Sequence, residues 1–495
     1  MKKLIISALA IASAATAFAG GINTNTNQNA AFLRQLSQEA VIDITGLYAN
    51  PAGTAFLAPG SHFSINIQNA KQTREIETTL NPLFALNANT PGEATHNFKG
   101  EAYAPVIPSI HYSYNWDKWS INAHFALTGG GGKCEFDKGL GSFEALYASE
   151  MYKLVPTKVN GMVMDNVKAG LMGKGLPEAA ADALVAGGTF NSQMTGYSLN
   201  AYMKGKQYYF GLQLGATYKA LDNLAVFAGL RGVYATCNYN GYVQDINASY
   251  AYSFDVPVPG MDNLTGADKG QTSLADRELA LNADQTGFGF TPMIGVDWKI
   301  NEHWNVAAKY EFKTRMRLEN KSEMNEFAAA TAKENATLGQ FADGSKIAAD
   351  IPSVLFAGVQ YSPIESIRLN AGYHFYGDKK ATQYNNKQDL IDDNTFEVTA
   401  GVEWDVCKLI TLSCSYQTTK YGLSDGYMND LSFVVDSWSY GLGARINCTE
   451  KLSLDLGFMQ TLYDDRTVIK PEEGNKKDVY TRTNRVLGIG LNYKF

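Results

Sequence analysis

The chain has 495 residues, of which 45% are hydrophobic, 12% aromatic and only 18% charged, against about 25% charged in soluble domains. Its formal net charge is −7 and it carries no basic run, which excludes an electrostatic footprint for nucleic acid. Five cysteines, Cys134, Cys237, Cys407, Cys414 and Cys448, are too few and too scattered for a disulfide-built scaffold, although Cys407 and Cys448 fall in short turns on one side and stand there either as a pair or as two free thiols.

The first residues read as an address rather than as structure. Lys2 and Lys3 precede an apolar run from Leu4 to Thr16 that ends in Ala17-Phe18-Ala19. A basic start, an apolar stretch and a small-residue cleavage site describe a secretory signal over 1–19. Residues 20–60 follow without strand alternation. Ala30–Leu36 reads as a short helix, and Asn50-Pro51-Ala52-Gly53 as a rigid bend, with Asn50 capping, Pro51 fixing φ and Gly53 allowing a reversal. This segment is expected to plug the interior of whatever residues 61–495 build.

From residue 61 onward, runs of about ten alternating residues recur between turns. Ile367, Leu369, Ala371, Tyr373 and Phe375 share one face, with Arg368, Asn370, Gly372 and His374 on the other. In the last run Leu487, Ile489, Leu491, Tyr493 and Phe495 alternate with Gly488, Gly490, Asn492 and Lys494. Short turns at 115–118, 221–223, 301–303, 362–365, 406–408 and 448–450 alternate with long connections, the first at about 70–105 and the largest at 129–205. That rhythm predicts an all-β fold: an up-and-down transmembrane barrel of about fourteen antiparallel strands with clipped turns at one end and long outer loops at the other. No later stretch supplies the eighteen or so consecutive apolar residues of a membrane helix. Trp116, Trp119, Trp298, Trp304 and Trp404 lie beside short turns, as an interfacial girdle requires. Within 143–187 the spacing of Phe143, Leu146, Tyr147, Met151 and Leu154, and Pro177 before Glu178–Val185, predict outer helices, packed over the barrel mouth or forming a ligand groove.

Catalytic signatures are missing. Gly129, Gly130, Gly131, Gly132 and Lys133 superficially resemble a phosphate loop, but Cys134 stands where Ser or Thr is needed. His62-x-Ser64 and His111-x-Ser113 point inward by strand phase, the wrong face for a bilayer hydrolase. No enzyme, cofactor or metal site is expected. The glycine run lies about ten residues up the third strand, where it permits either a bulge or a flexible start to the outer loop. Lys309, Lys313, Arg315 and Arg317 share one phase of a strand. Lys313 and Arg315 are candidates for holding a carboxylate, with pairing to Glu311, Glu397 or Glu403 as the alternative.

The signal, the Asn50-Pro51-Ala52 triplet, about fourteen strands and a third strand ending in glycines before Glu135-Phe136 together resemble the FadL/TodX family of outer-membrane transport proteins for hydrophobic compounds. The resemblance implies an N-terminal hatch (20–60) with Asn50, Pro51, Ala52 and Gly53 as its motif, and a third-strand kink at Gly129, Gly130, Gly131 and Gly132 that opens sideways. It further implies a monomer in the bacterial outer membrane, folded with the barrel-assembly machinery among membrane lipid. Its expected partner is a long-chain fatty acid or another hydrophobic ligand. A structural or adhesive outer-membrane protein, and a general porin, are the alternatives.

Overall fold

Period-two alternation carries the chain around a closed wall. The computed structural model describes Gly21, Thr24 and residues 29–495; the expected signal segment 1–19 lies outside them. Fourteen antiparallel strands follow in chain order: β1 (Gly60–Thr79), β2 (Thr95–Trp116), β3 (Trp119–Phe136), β4 (Thr189–Leu221), β5 (Leu224–Val256), β6 (Leu279–Lys299), β7 (Trp304–Glu311), β8 (Val354–Ile364), β9 (Ile367–Tyr376), β10 (Ile391–Asp405), β11 (Ile410–Leu423), β12 (Ser437–Asn447), β13 (Leu452–Tyr463) and β14 (Lys476–Lys494). The last strand returns to the first, pairing from His62 with Lys494 to Thr79 with Lys477. Closure leaves no open edge, as a wall in hydrocarbon demands. Four further stretches, Leu264–Ser273, Arg317–Met324, Lys346–Ala348 and Arg466–Lys470, extend the same sheet beyond the long-loop end.

Side chains sort by phase. Ile65, Ile67, Leu487, Ile489 and Leu491 face outward and are between 41% and 57% exposed, whereas Ser64, Asn66 and Val486 face inward and are buried. The five girdle tryptophans are all exposed beside the short turns. No helix among the described residues is long and apolar enough to cross a membrane. The strands do the crossing.

Two loop expectations need correction. The connection expected over 70–105 is mostly strand, because β1 runs to Thr79 and β2 starts at Thr95. Beyond Ile67 the outward positions turn polar (Asn69, Lys71, Thr73, Glu75), so the ladder continues in water where the apolar alternation that betrays a strand has ended. Likewise β3 continues to Phe136 and β4 begins at Thr189, leaving two helices between them, α2 (Gly141–Gly173) and α3 (Glu178–Ala186); α1 is the short N-terminal helix Ala30–Arg34. On α2, Val155, Val159, Val163, Val167 and Leu171 recur every fourth residue and form one stripe. They pack with Val185 of α3, and with Met194, Val243 and Ala248 of the projecting β4–β5 hairpin. The helices therefore bury their apolar faces on neighbouring elements of the outer sheet.

The outer half of the lumen is filled by a second apolar cluster. Tyr209 and Tyr239 from the wall meet Phe341, Tyr427 and Phe433 from the loops. All five cysteines are free, including exposed Cys407 and Cys448.

Candidate functional site

The lower lumen is occupied by the chain's own N-terminal segment. Helix α1 starts at an Asn29 cap, whose Oδ1 accepts the Phe32 amide at 2.7 Å, and its residues lie against inward-facing glycines. A Cβ added at Gly457 would lie 2.3 Å from the Ala30 carbonyl oxygen, one at Gly441 2.5 Å from that of Leu33, and one at Gly443 2.6 Å from the Arg34 Cβ. Only a wall without side chains there admits the helix.

Ion pairs fix the segment in this seat. Arg34 reaches Asp455 at 2.8 Å through Nε and Glu403 through its terminal nitrogen. Arg445 forks onto Asp43 at 2.9 and 3.2 Å and onto Asp455 at 2.9 Å. Glu39 meets His374, which also contacts Glu397 at 2.8 Å. Burial pushes the Asp43 carboxyl up, but the Arg445 guanidinium beside it overrides this and holds it well below the usual carboxylate range. Arg231 and Lys309 share Glu311 and stand over the Tyr48 ring, 5.0 and 4.3 Å from its centre. Lys309 also donates to the Tyr48 carbonyl.

The Asn50-Pro51-Ala52-Gly53 stretch is a second anchor. Pro51–Phe56 is a 3₁₀ turn with proline in its first turn. Asn50 uses both ends of its amide: Oδ1 accepts the Gly53 N–H at 3.2 Å, and Nδ2 donates to Asp297 on β6. Ala52 packs on Phe227 and Met293 of the wall. Gly53 does not reverse the chain. It is needed for space, since a Cβ there would lie 2.7 Å from Asn50 Nδ2 and 3.1 Å from Asp297 Oδ2.

Higher up, the wall loses its ladder between β2 and β3. They pair from Trp116 with Trp119 to Ser109 with Ala126, and again at Glu101 with Glu135; among the described residues no ladder pair joins them in between. Both strands contribute to the lapse. Pro105 and Pro108 of β2 have no N–H to donate. On β3 the register against β4 slips twice, between Leu127 and Gly129 and between Gly129 and Gly132. Gly130 takes φ +103°, and a Cβ there would come within 2.4 Å of the Gln207 carbonyl oxygen. A cavity of about 450 Å³ occupies the gap. Tyr103, Val106 and Phe210 line its outer side, with Tyr103 and Val106 about 60% exposed; Tyr421, Tyr463 and Val486 line its lumen side. Pro105 and Pro108 carried the missed half of this signal in the sequence.

The expected strand phase of the cations is overturned. Lys309 and Glu311 face inward, but the strand breaks after Glu311, and inward positions resume at Thr314, Met316 and Leu318. The slip turns Arg315 and Arg317 outward, and the displaced chain fits against Gly287 and Gly289, whose missing side chains leave room for the Arg317 and Arg315 carbonyls. Lys313 is bound to Asp350 at 3.0 Å. Neither Lys313 nor Arg315 faces the cavity between β2 and β3. The His62/Ser64 and His111/Ser113 pairs do point inward and are buried, and no group of three or more metal-ligating side chains gathers among the described residues.

Residues 328–495 match the outer membrane protein beta-barrel domain family. Among solved structures, a Pseudomonas aeruginosa FadL homologue aligns over 96% of this chain and 100% of its own, with TM-score 0.60 at 14% identity. The fold is that of a FadL-type outer-membrane barrel. A deletion mutant of the TodX monoaromatic hydrocarbon channel aligns over 96% of this chain and 98% of its own, with TM-score 0.54 and 12% identity. The Pseudomonas putida toluene transporter TodX covers 96% and 100%, with TM-score 0.50 and 12% identity. At these identities the likeness is one of fold. No curated protein matches the chain. The apolar belt, closed wall and family match together place the protein in the bacterial outer membrane.

Proposed function

We propose that this barrel takes hydrophobic molecules, long-chain fatty acids in particular, from the cell exterior into the outer membrane without chemical change. The outer loops receive the molecule, the cavity at the gap holds it, and the β2–β3 gap releases it sideways into lipid. Residues 29–57 act as the hatch that keeps the axial route shut. The observation that carries this reading is the gap cavity, which joins lumen-facing Tyr421 and Tyr463 to exposed Tyr103 and Val106 through a lapse in the ladder. An apolar path that ends in the bilayer keeps an acyl tail out of water, and each buried CH₂ contributes about 0.8 kcal/mol.

Two of the similar structures are a monoaromatic hydrocarbon channel and a toluene transporter, which supports a greasy cargo here. A general porin fits less well, because the lower lumen is filled by an ion-paired segment. Removing residues 29–57 tests the reading. The expected result is a rise in small-solute conductance together with loss of fatty-acid uptake; unchanged conductance and uptake would overturn it.

A further inference from the structure

Within the projecting part of the wall, Arg74 of β1 lies directly across the ladder from Arg482 of β14. Both are on the inward phase, next to buried Ile76 and Tyr480. Like charges placed opposite each other destabilise a sheet, and charges withdrawn from water need partners. Elsewhere the wall supplies them: Arg231 has Glu311, Arg368 has Asp405, Arg445 has Asp455, and Lys476 has Glu473 and Asp478. Neither Arg74 nor Arg482 has a carboxylate among the described residues. The Nε atoms of both are buried without a hydrogen-bond partner. Their guanidiniums instead lie by aromatic rings, Arg74 5.8 Å from the centre of Phe433 and Arg482 5.1 Å from that of Tyr463.

This pair sits at the inner end of the wall gap. Arg482 lines the gap cavity itself, and both arginines line a smaller cavity of about 90 Å³ that shares Gly21, Gly130 and Gly132 with it. The acid on that smaller cavity, Asp430, accepts the Ser142 amide at 2.6 Å. Two guanidinium forks without a carboxylate partner among the described residues, beside a cavity that Val106, Ile107 and Phe210 also line, form the recognition element for a carboxylate on an acyl tail.

We propose that Arg74 and Arg482 hold the anionic head group of an amphiphile whose tail lies in the β2–β3 gap. This deepens the uptake reading and rests on it: the cargo is a carboxylate rather than a neutral hydrocarbon, and its tail enters the bilayer before its head. The head group replaces the missing counterion, which accounts for two facing arginines being kept where one would be less costly.

The test compares palmitate with hexadecanol, which has the same chain length and no charge, for binding to the purified full-length barrel at mildly alkaline pH. The wild type is expected to favour palmitate by at least about tenfold. Arg74→Gln/Arg482→Gln should erase that preference, the ratio of palmitate to hexadecanol affinity falling to about one, and Arg74→Lys/Arg482→Lys should restore part of it. Equal binding of both ligands by the wild type, or an unaltered preference in the double glutamine variant, would overturn the head-group site while leaving the uptake reading standing. Failure of the wild type to bind either ligand would overturn the uptake reading itself, and the site with it.

Discussion

The two sides of this barrel treat buried polarity in opposite ways. On the β9–β13 side, cations and carboxylates interlock: Arg34, Asp43 and Glu39 of the N-terminal segment find Glu403, Asp455, Arg445 and His374 on the wall. Glycines there let the two backbones touch. On the β14–β1–β2–β3 side the ladder lapses, prolines and glycines withdraw donors and side chains, and two arginines face each other without a carboxylate among the described residues. Paired charges hold the segment in the lower lumen. Facing arginines and a broken ladder mark the lateral route we propose.

The largest expected effect comes from straightening β3. Two residues of β3 are surplus to β4 across the slips at Leu127–Gly132, so deleting Gly130 and Gly131 removes both slips against β4 and, with them, part of the lining of the gap cavity. Fatty-acid uptake should fall by at least about tenfold, while heat-modifiable electrophoresis reports an intact barrel. Next, Arg34→Ala removes one of two arginine partners from each of the buried carboxylates Glu403 and Asp455, a loss of about 1.5–3 kcal/mol. It should appear as fast amide exchange confined to residues 29–57 and as raised small-solute conductance, with wall strands unaffected. Gly457→Ala tests the seat with less force. Its methyl would collide with the Ala30 carbonyl, and overpacking of that kind costs about 1–3 kcal/mol, again read as exchange in the N-terminal segment alone.

The smallest effect concerns the roof. Lys387, in the loop after β9, donates to Ser432 Oγ at 2.9 Å and stands 4.3 Å from the Tyr427 ring centre. Burial, helped by Lys470, pulls its pKa down to about 7 from an ordinary 10.5. Between these values the unfolded segment binds more protons than the folded one, so roof stability rises with pH across that window and is lowest below about pH 7. Amide exchange in residues 383–390 and 427–432 should slow as pH rises through this window, after correction for intrinsic exchange, and Lys387→Met should flatten the dependence.

The barrel was legible because lipid enforces it. Alternation such as Leu487, Ile489 and Leu491 against Gly488 and Gly490, and the rhythm of short and long turns, are direct demands of a wall between hydrocarbon and lumen. The strands' upper halves were hidden because outside the belt both faces of Arg74-Glu75-Ile76-Glu77 can be polar; with them went the arginine pair. The slip after Glu311 reverses phase without any signal in residue type, so Arg315 could not be placed by counting. Asn50 was found by its neighbours, yet its partner Asp297 lies 247 residues away, and Arg34 meets Asp455 across 421. Such pairs arise only once the cylinder closes.

The most direct test of the lateral route is photocrosslinking with a long-chain fatty acid bearing a diazirine at the end of its tail, applied from outside to the full-length barrel in lipid vesicles. Adducts on Tyr103, Val106, Leu127 or Phe210, at the gap, are the predicted result. Adducts confined to residues 47–57 and the short-turn end of the lumen would place the cargo on the axial path and contradict the account.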